Sequence, residues 1–435
     1  MSAQGLFDQR AETMIDIRGF GRSVMYLGED AGKPDLSSLF AEAGLSVKYD
    51  PDSKFSLLTE VRIRGGYEYN ENLIQPRIRE MYGELHLGRF DIRAGQQVVV
   101  WGRADAFSPT DNITPKDYFV RSPEPDDMRL GNYLFRTTFR ISESFSLEGI
   151  WVPVYRYSVY RYDLFNMPDF VSFYQPDYAT WGSHGGSMAI KLDYYFPAID
   201  GSVSVFNGFD PQAGIDVRNM NLDLVSGLTL SLEPQAFRHT TIGADFATTA
   251  GMFGLRGELG MRITQKNYKE EIFAPQSDLR YVLGIDRSMG KFSLLIQYCG
   301  QWIPDFKPMP DLVMFSDSES LPIPEPFSFE ELNKSLDDQI IGFNRLIFGQ
   351  SHKVSHVLMI RPSVSLLFET LKCELFASYN LNTEEYNIDG RVSYKFNDHM
   401  GLTVGGQYFD GPAVSMYDMV RPVFSGGYIE LRYSF

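Results

Sequence analysis

Ionised side chains alternate with large apolar ones along several stretches of the chain. In residues 55–67, Glu60, Arg62 and Arg64 occupy every second position, and apolar residues fill most of the positions between them. The planar guanidinium of arginine binds two oxygens at once, which suits carboxylate and phosphate groups. Rows of such charges facing a water-filled space would orient water and favour polar or charged solutes over apolar ones.

The candidate solute-binding residues are the charged members of these alternating stretches. Cross-strand pairing of ordinary solvated charges is the alternative reading of any one of them. We expect Arg62, Arg64, Arg93, Arg256 and Arg262 to form a strip that attracts anions despite the acidic total charge. The full predicted set is Glu60, Arg62, Arg64, Arg93, Arg136, Arg140, Arg256, Glu258, Arg262 and Arg361.

Composition excludes several other kinds of function. The 435 residues carry a net charge of -16, which argues against nucleic-acid binding because that function needs basic patches. The six histidines are scattered without an HExxH motif, and no Ser, His and acid group stands out. We therefore predict no enzyme activity, no catalytic residues, no metal site and no cofactor.

Period-two alternation in segments of about ten residues predicts membrane-crossing β-strands. Residues 253–264 and 385–396 repeat the pattern, and no stretch approaches the ~20 apolar residues of a spanning helix. A soluble β-sandwich or propeller with one wet face would also alternate. Full charges on the polar face, aromatic residues at the ends of the apolar face, and the terminal Phe435 favour a membrane barrel.

The spacing of the segments predicts an all-β, transmembrane, antiparallel up-and-down barrel of about eighteen strands. Eight short turns and nine longer loops alternate, as expected for periplasmic turns and extracellular loops. Sixteen strands is the alternative, because 209–236 could hold further strand. One closed sheet accounts for the whole of 1–435 as a single domain. The predicted long loops lie near 27–37, 68–77, 102–130, 156–183, 209–236, 265–277, 303–352, 381–384 and 410–424.

The N-terminus shows no basic and apolar leader. Met1 followed by residues 2–5 is interpreted as a mature N-terminus behind an added methionine. Placement in the outer membrane of a Gram-negative bacterium is therefore inferred from the barrel pattern.

The extracellular loop 303–352 contains a predicted helix near 329–348. Ser328 and Glu331 match a capping box, Phe327 could complete a hydrophobic staple, and Gly349 is a plausible terminator. An apolar stripe at helical spacing must be buried somewhere. We expect it to fold into the mouth and constrict the pore, with packing on other outer loops as the alternative. The stripe consists of Leu332, Leu336, Ile340, Phe343 and Ile347.

Residues 156–181 are rich in tyrosine and phenylalanine. Their faces could stack on sugar rings and form a carbohydrate path. A membrane-interface girdle combined with loop packing is the favoured interpretation.

A strand at 93–102 ends in Trp101 and leads into a Pro/Asn/Asp-rich loop, with Trp101 interpreted as an interface residue. Strand and loop together resemble a family of large Gram-negative outer-membrane proteins with a G-x-Q-V-V-x-W-G strand and an N-x-x-P-x-D loop. That family lies near the alginate-export and phosphate-selective porins. The resemblance implies an outer-membrane channel in which Gly102 and Pro115 shape the turn, while Asn112 and Asp117 cap loop backbone. The matching residues are Gly95, Gln97, Val98, Val99, Trp101, Gly102, Asn112, Pro115 and Asp117, whereas Arg103 stands where many relatives carry an acid.

These features together predict a channel for passive diffusion of small polar or anionic solutes. A dedicated conduit for polysaccharide export, or the barrel subunit of an envelope complex, is the alternative, and a structural or adhesive surface protein is a third class. Expected partners are outer-membrane lipid and lipopolysaccharide, the solutes, and either a homotrimer or an envelope-complex partner. No nucleic-acid partner is expected.

Overall fold

The computed structural model describes residues 14–30, 33–52, 54–69, 71–105, 107–165, 169–174, 186–223, 227–312 and 329–435. Eighteen antiparallel strands form one sheet. The first strand pairs with the last, with Phe20 opposite Ser434, so the sheet closes on itself. The predicted fold class and strand number are therefore confirmed.

The barrel strands range from 8 residues in β5 and β7 to 20 residues in β2. The barrel strands are β1 (Ile15–Asp30), β2 (Lys33–Asp52), β3 (Phe55–Glu68), β4 (Glu71–Leu87), β5 (Phe90–Gln97), β6 (Asn132–Arg140), β7 (Phe145–Val152), β9 (Ser187–Tyr195), β10 (Ile199–Phe209), β13 (Arg238–Ala250), β14 (Phe253–Thr264), β15 (Asp278–Met289), β16 (Phe292–Trp302), β17 (Val354–Leu366), β18 (Leu371–Asn380), β19 (Tyr386–Lys395), β20 (Met400–Asp410) and β21 (Gly426–Ser434).

Alternation along most strands separates an apolar outer wall from a largely charged inner wall. In β3, Ile63 is 52% exposed on the outside, whereas its neighbour Arg64 is only 3% exposed on the inside. Successive side chains of a strand point to opposite faces of the sheet, so one period-two sequence builds both walls. A β-bulge in β4 adds one residue, Arg79, opposite Glu60 and Val61 of β3 and interrupts this alternation locally.

Short turns join strands at one end of the barrel, as predicted, and most connections at the other end are long. Two predicted long loops, near 27–37 and 68–77, are instead tight hairpins. Strand β1 runs to Asp30 and β2 begins at Lys33, because pairing continues to the tip. Strands β3 and β4 likewise remain paired out to Glu68 and Glu71.

The outer connections carry structure of their own. Strands β8 (Val171–Phe173), β11 (Gly214–Asp223) and β12 (Gly227–Gln235) form a separate three-stranded sheet. The extra strand within 209–236 therefore lies outside the barrel and leaves the number of barrel strands at eighteen. The α-helices are α1 (Phe329–Ile347) and α2 (Met416–Phe424), and short 3₁₀ turns cover Pro125–Met128, Tyr162–Leu164 and Lys266–Tyr268.

Neither α1 nor α2, in the part of the chain that the structure describes, has both the length and the apolar composition that a membrane-crossing helix requires.

Candidate functional site

The connection between β5 and β6, residues 98–131, folds into the barrel and is here called the inner loop. Its side chains bond to wall strands β1, β3 and β4, and also to β13 and β14. These two groups of strands lie about half-way round the ring from each other. The inner loop therefore crosses the lumen and narrows the path for any solute.

Asp127 ties the inner loop to the arginines of β1, β3 and β4. Its carboxylate lies 2.7 Å from Arg62 Nη1, 2.9 Å from Arg22 Nη2 and 3.5 Å from Arg79 Nη1. Ser122 donates a hydrogen bond to the same carboxylate at 2.5 Å. Burial opposes ionisation of Asp127, but Arg22 and Arg62 outweigh it and hold its pKa well below the usual range. The loop is thus anchored by a carboxylate that stays charged.

Glu42 and Glu430 balance the remaining charge of this wall. Glu42 lies 2.6 Å from Arg64 and 3.1 Å from Arg22, and Glu430 lies 3.3 Å from Arg22. Both carboxylates are nearly fully buried. Buried arginines need such partners, since an unpaired buried charge is strongly destabilising.

Glu258 of β14 is the second anchor of the inner loop. Its carboxylate accepts hydrogen bonds from the backbone N–H groups of Arg103, Ala104 and Thr110 at 2.9–3.2 Å. The hydroxyls of Ser108 and Thr110 donate to it at 2.5 and 2.8 Å. One wall carboxylate therefore accepts hydrogen bonds from three backbone N–H groups and two hydroxyls of the loop. Without it, these groups would lose their hydrogen bonds to water and gain none from the protein.

Gly102 is required beside this anchor. Its φ is +91°, and a Cβ there would come 2.3 Å from Ser108 Oγ and 2.5 Å from Glu258 Oε2. A side chain would be strained by the backbone conformation and would also push the carboxylate away. The glycine of the sequence motif thus bends the chain into the lumen.

Two ion pairs extend the contact with the same side of the barrel. Arg103 Nε lies 2.7 Å from Asp245 of β13, and Arg256 Nη1 of β14 lies 2.6 Å from Asp105. Arg361 of β17 approaches Asp105 at 3.8 Å. The arginine that departs from the family pattern at position 103 therefore has a specific partner in this chain.

An apolar patch on the inner wall receives the start of the inner loop. Trp101 is 2% exposed and donates a hydrogen bond from Nε1 to Glu148 at 2.7 Å. The interpretation of Trp101 as a membrane-interface residue is therefore wrong, because strand β5 ends at Gln97 and the chain turns inward. The buried cluster consists of Val99, Trp101, Ile113, Leu134, Ile150, Val152, Ala189 and Phe206.

Other motif residues support the loop backbone. Asn112 donates to the carbonyl of Pro109 at 3.2 Å, and Asp117 accepts from the N–H of Phe119 at 3.1 Å. The predicted capping roles of Asn112 and Asp117 are thus confirmed. Gly95 has a φ of +133°, and a Cβ there would meet the carbonyl of Met81 at 2.3 Å.

The remaining predicted arginines of the inner wall also have acidic partners. Arg93 pairs with Glu84 at 2.8 Å, Arg140 with Asp91 at 3.2 Å and Arg262 with Asp278 at 2.7 Å. Arg136 donates from Nε to Glu148 at 2.7 Å, and Arg62 pairs with Glu60 at 2.8 Å. Much of the predicted strip is therefore neutralised by wall and loop carboxylates. Three arginine side chains remain about a third or more exposed: Arg93 at 34%, Arg140 at 53% and Arg361 at 45%.

Helix α1 buries its predicted stripe against other outer connections. Leu332, Leu336 and Ile340 join a buried cluster with Ile215 of β11 and Leu230 of β12. Packing on outer loops, the alternative weighed from the sequence, therefore describes these three residues. Phe343 and Ile347 face a cavity that the helix shares with the inner loop.

The ends of α1 were predicted from capping residues. Gly349 has a φ of +65° and donates its N–H to the carbonyl of Leu346, as expected for a terminator. Ser328 and Phe327 lie outside the described residues. Asn344 bonds both backbone groups of Ile215, which fixes the helix on β11.

The sequence interpretation assigned a contact with the inner wall to no inner-loop residue, although Val98, Trp101 and Arg103 were part of the motif. The available signal lies in β7, where Ile150, Trp151 and Val152 are apolar in succession. A strand with one lipid-facing and one water-facing side should alternate apolar and polar residues, so this run indicates that both faces of the strand are apolar. Contact between an apolar inner wall and water is unfavourable, so such a wall predicts a segment of polypeptide packed against it. Among the described residues, no group of three His, Cys, Asp or Glu side chains could hold a metal ion.

No protein-family model matches the chain, and no curated protein matches its sequence significantly. Its fold is similar to crystal structures of Occ outer-membrane porins. OccK11 (OpdR) of Pseudomonas aeruginosa is 9% identical with a TM-score of 0.53, covering 97% of this chain and 96% of that chain. OccAB3 of Acinetobacter baumannii is 9% identical with a TM-score of 0.55, covering 97% and 99%. OccK2 (OpdF) of Pseudomonas aeruginosa, in complex with glucuronate, is 9% identical with a TM-score of 0.53, covering 97% and 98%.

These similarities support the porin-like part of the resemblance seen in the sequence. The G-x-Q-V-V-x-W-G strand as a family mark, and the relation to alginate-export and phosphate-selective porins, stay predictions.

Proposed function

We propose that this protein is an outer-membrane channel through which small polar or anionic solutes diffuse passively. The observation that carries the proposal is the closed barrel with an apolar outer wall, a charged inner wall and the inner loop bonded across its lumen. A barrel of this strand number is too wide for wall side chains to fill, so a polypeptide segment sets its bore. The similarity to the Occ porins supports the same function.

The channel selects solutes at two levels. The inner loop limits their size, and the more exposed arginines of the wall, Arg93, Arg140 and Arg361, attract anions. The buried Arg62, Arg64 and Arg262 and the partly exposed Arg256 are each paired with carboxylates, and we assign them to holding the loop and the wall together instead of binding solute. OccK2, whose fold is similar, was crystallised in complex with the anion glucuronate, which supports an anionic solute.

The outer wall contacts lipid and, in the outer leaflet, lipopolysaccharide of a Gram-negative bacterium. Exposed apolar side chains such as Ile63, Val205 and Leu283 suit the acyl chains. A homotrimer or a partner in an envelope complex is compatible with this wall, and light scattering of the detergent complex measures which state occurs.

Reversal potentials in a salt gradient test the proposed anion preference. Replacing Arg93, Arg140 and Arg361 together with methionine should lower the anion-to-cation permeability ratio by about two- to fivefold, since three inward positive charges are lost. Arg218→Met is the matched control, because Arg218 is 42% exposed and lies on β11, outside the barrel. Unchanged reversal potentials in the triple variant would remove the arginines from the proposal. A protein that inserts but never conducts would remove the channel itself and favour a conduit that opens only with a partner.

A further inference from the structure

A cavity of about 440 Å³ lies at the outer mouth of the barrel and is here called the aromatic vestibule. It is bounded by the inner loop, two other outer connections, helices α1 and α2, and the inner face of β1, β19 and β20. Its volume falls within the range of small-molecule binding sites.

Aromatic side chains from different segments converge on the aromatic vestibule. Tyr160 lies between Tyr118, at 5.4 Å between ring centroids, and Tyr162, at 5.6 Å. Phe119 contacts Phe165 and Phe424 at 5.8 and 5.3 Å. Because these rings come from the inner loop, the β7–β9 connection and α2, the site exists only when all three are docked.

Several polar side chains that line the aromatic vestibule are already bonded within the protein. Gln212 and Gln407 donate their side-chain N–H groups to the carbonyls of Ile347 and Phe424. Arg121 donates to the carbonyl of Val423 and lies over the ring of Tyr69 at 4.7 Å. By contrast, the hydroxyl of Tyr160 is buried and has no hydrogen-bond partner among the described residues. The lining also includes Asp389, but aromatic and apolar side chains make up most of it.

We propose that the aromatic vestibule binds the planar aromatic ring of a small solute before it passes the inner loop. The proposal rests on the proposed channel function and names a substrate class for it. A sugar ring, which the tyrosines could also stack on, would need several hydrogen-bond partners, whereas the amides that line the cavity are already bonded. Aromatic rings attract each other beyond their buried area.

Interruption of single-channel current by neutral glucosides tests the proposal. Phenyl β-glucoside and methyl β-glucoside carry the same sugar and no charge, so they differ only in the phenyl or methyl group attached to it. We expect phenyl β-glucoside to interrupt the current of the native protein, and methyl β-glucoside to leave it unchanged. Tyr160→Leu and Phe424→Leu should each weaken the interruption about two- to tenfold, because one stacking face is lost.

Tyr174→Leu is the matched control, since Tyr174 is 45% exposed and does not line the cavity. Equal interruption by both glucosides would show sugar recognition and overturn the proposal, and so would an unchanged effect in both Leu variants. The native protein alone decides the first comparison if a variant does not fold. Loss of all ion conductance would instead contradict the channel function, so the two failures are distinguishable.

Discussion

Glu258 and Asp127 are single carboxylates that position a long loop inside a wide barrel. Glu258 acts on backbone and hydroxyl donors from Arg103 to Thr110, and Asp127 acts through the arginines of β1, β3 and β4. Both carboxylates are buried. Hydrogen bonds to charged groups are stronger than neutral ones, and their loss leaves the partners unsatisfied.

Replacing Glu258 with alanine should release the segment from Arg103 to Thr110. All five hydrogen bonds would be lost, and the two buried ones, both from Thr110, would leave donors without an acceptor at about 1–3 kcal/mol each. We expect larger and noisier single-channel currents, while the barrel itself keeps its resistance to heat and detergent. Glu84→Ala is the control, because Glu84 is equally inward and buried but pairs with Arg93 of the wall. Identical currents in the two variants would show that Glu258 does not hold the loop.

Asp127 predicts how the channel responds to pH. Its pKa is lowered in the folded protein, so its stabilising effect is complete above the ordinary value of 3.8 and is lost only as the pH falls through the lower folded value. Asp127 therefore stays ionised from about pH 7 to about pH 5, and we expect no change in conductance from detachment of the loop in this range. Asp127→Asn should produce at neutral pH the open, noisy current expected of the native protein only in strong acid. A native channel whose loop detaches near pH 5 would contradict the anchor.

At the scale of elements, alternation predicts strands well and predicts docking poorly. The faces of β3, β14 and β19 follow from a local period of two, which needs no knowledge of distant residues. The partners of the inner loop are remote: Arg62 and Asp127 are 65 positions apart, and Thr110 and Glu258 are 148 positions apart. No local pattern encodes such a pairing. The same reasoning explains α1, whose stripe was predicted correctly although its binding surface, β11 and β12, was not.

Leu336 tests how α1 is held. It is 2% exposed in the cluster with β11 and β12, so Leu336→Ala should destabilise that packing by about 2–5 kcal/mol. Hydrogen exchange should quicken in α1, β11 and β12 and remain slow in the barrel strands. Lys334→Ala, on the exposed face of the same helix, should change neither. Faster exchange throughout the barrel after Leu336→Ala would contradict the independence of this outer cluster.

At the scale of the whole molecule, the barrel and its inner loop divide two tasks. In the closed sheet, the backbone N–H and C=O groups of each strand bond to its neighbours, and the outer wall is apolar. Such a sheet is stable in lipid. The inner loop is anchored at Glu258 and at Asp127, on sides of the barrel that lie about half-way round the ring from each other. It therefore determines how much of the lumen remains open. The strand number followed from the sequence because each strand carries its own pattern, whereas the bore depends on contacts between strands and loop.

The single-channel conductance of two proteins tests this account most directly: the native chain, and a chain in which the inner loop, residues 98–131, is replaced by a short Gly-Ser linker between the paired residues Gln97 and Asn132. The replacement leaves all eighteen barrel strands unchanged, so the variant should still form the barrel. Heat-modified migration in detergent gels verifies that it has done so. The account predicts that both proteins conduct and that the linker variant conducts several-fold more. Equal conductance of two folded barrels would show that the inner loop does not set the bore, and the absence of conductance in both would contradict the channel itself.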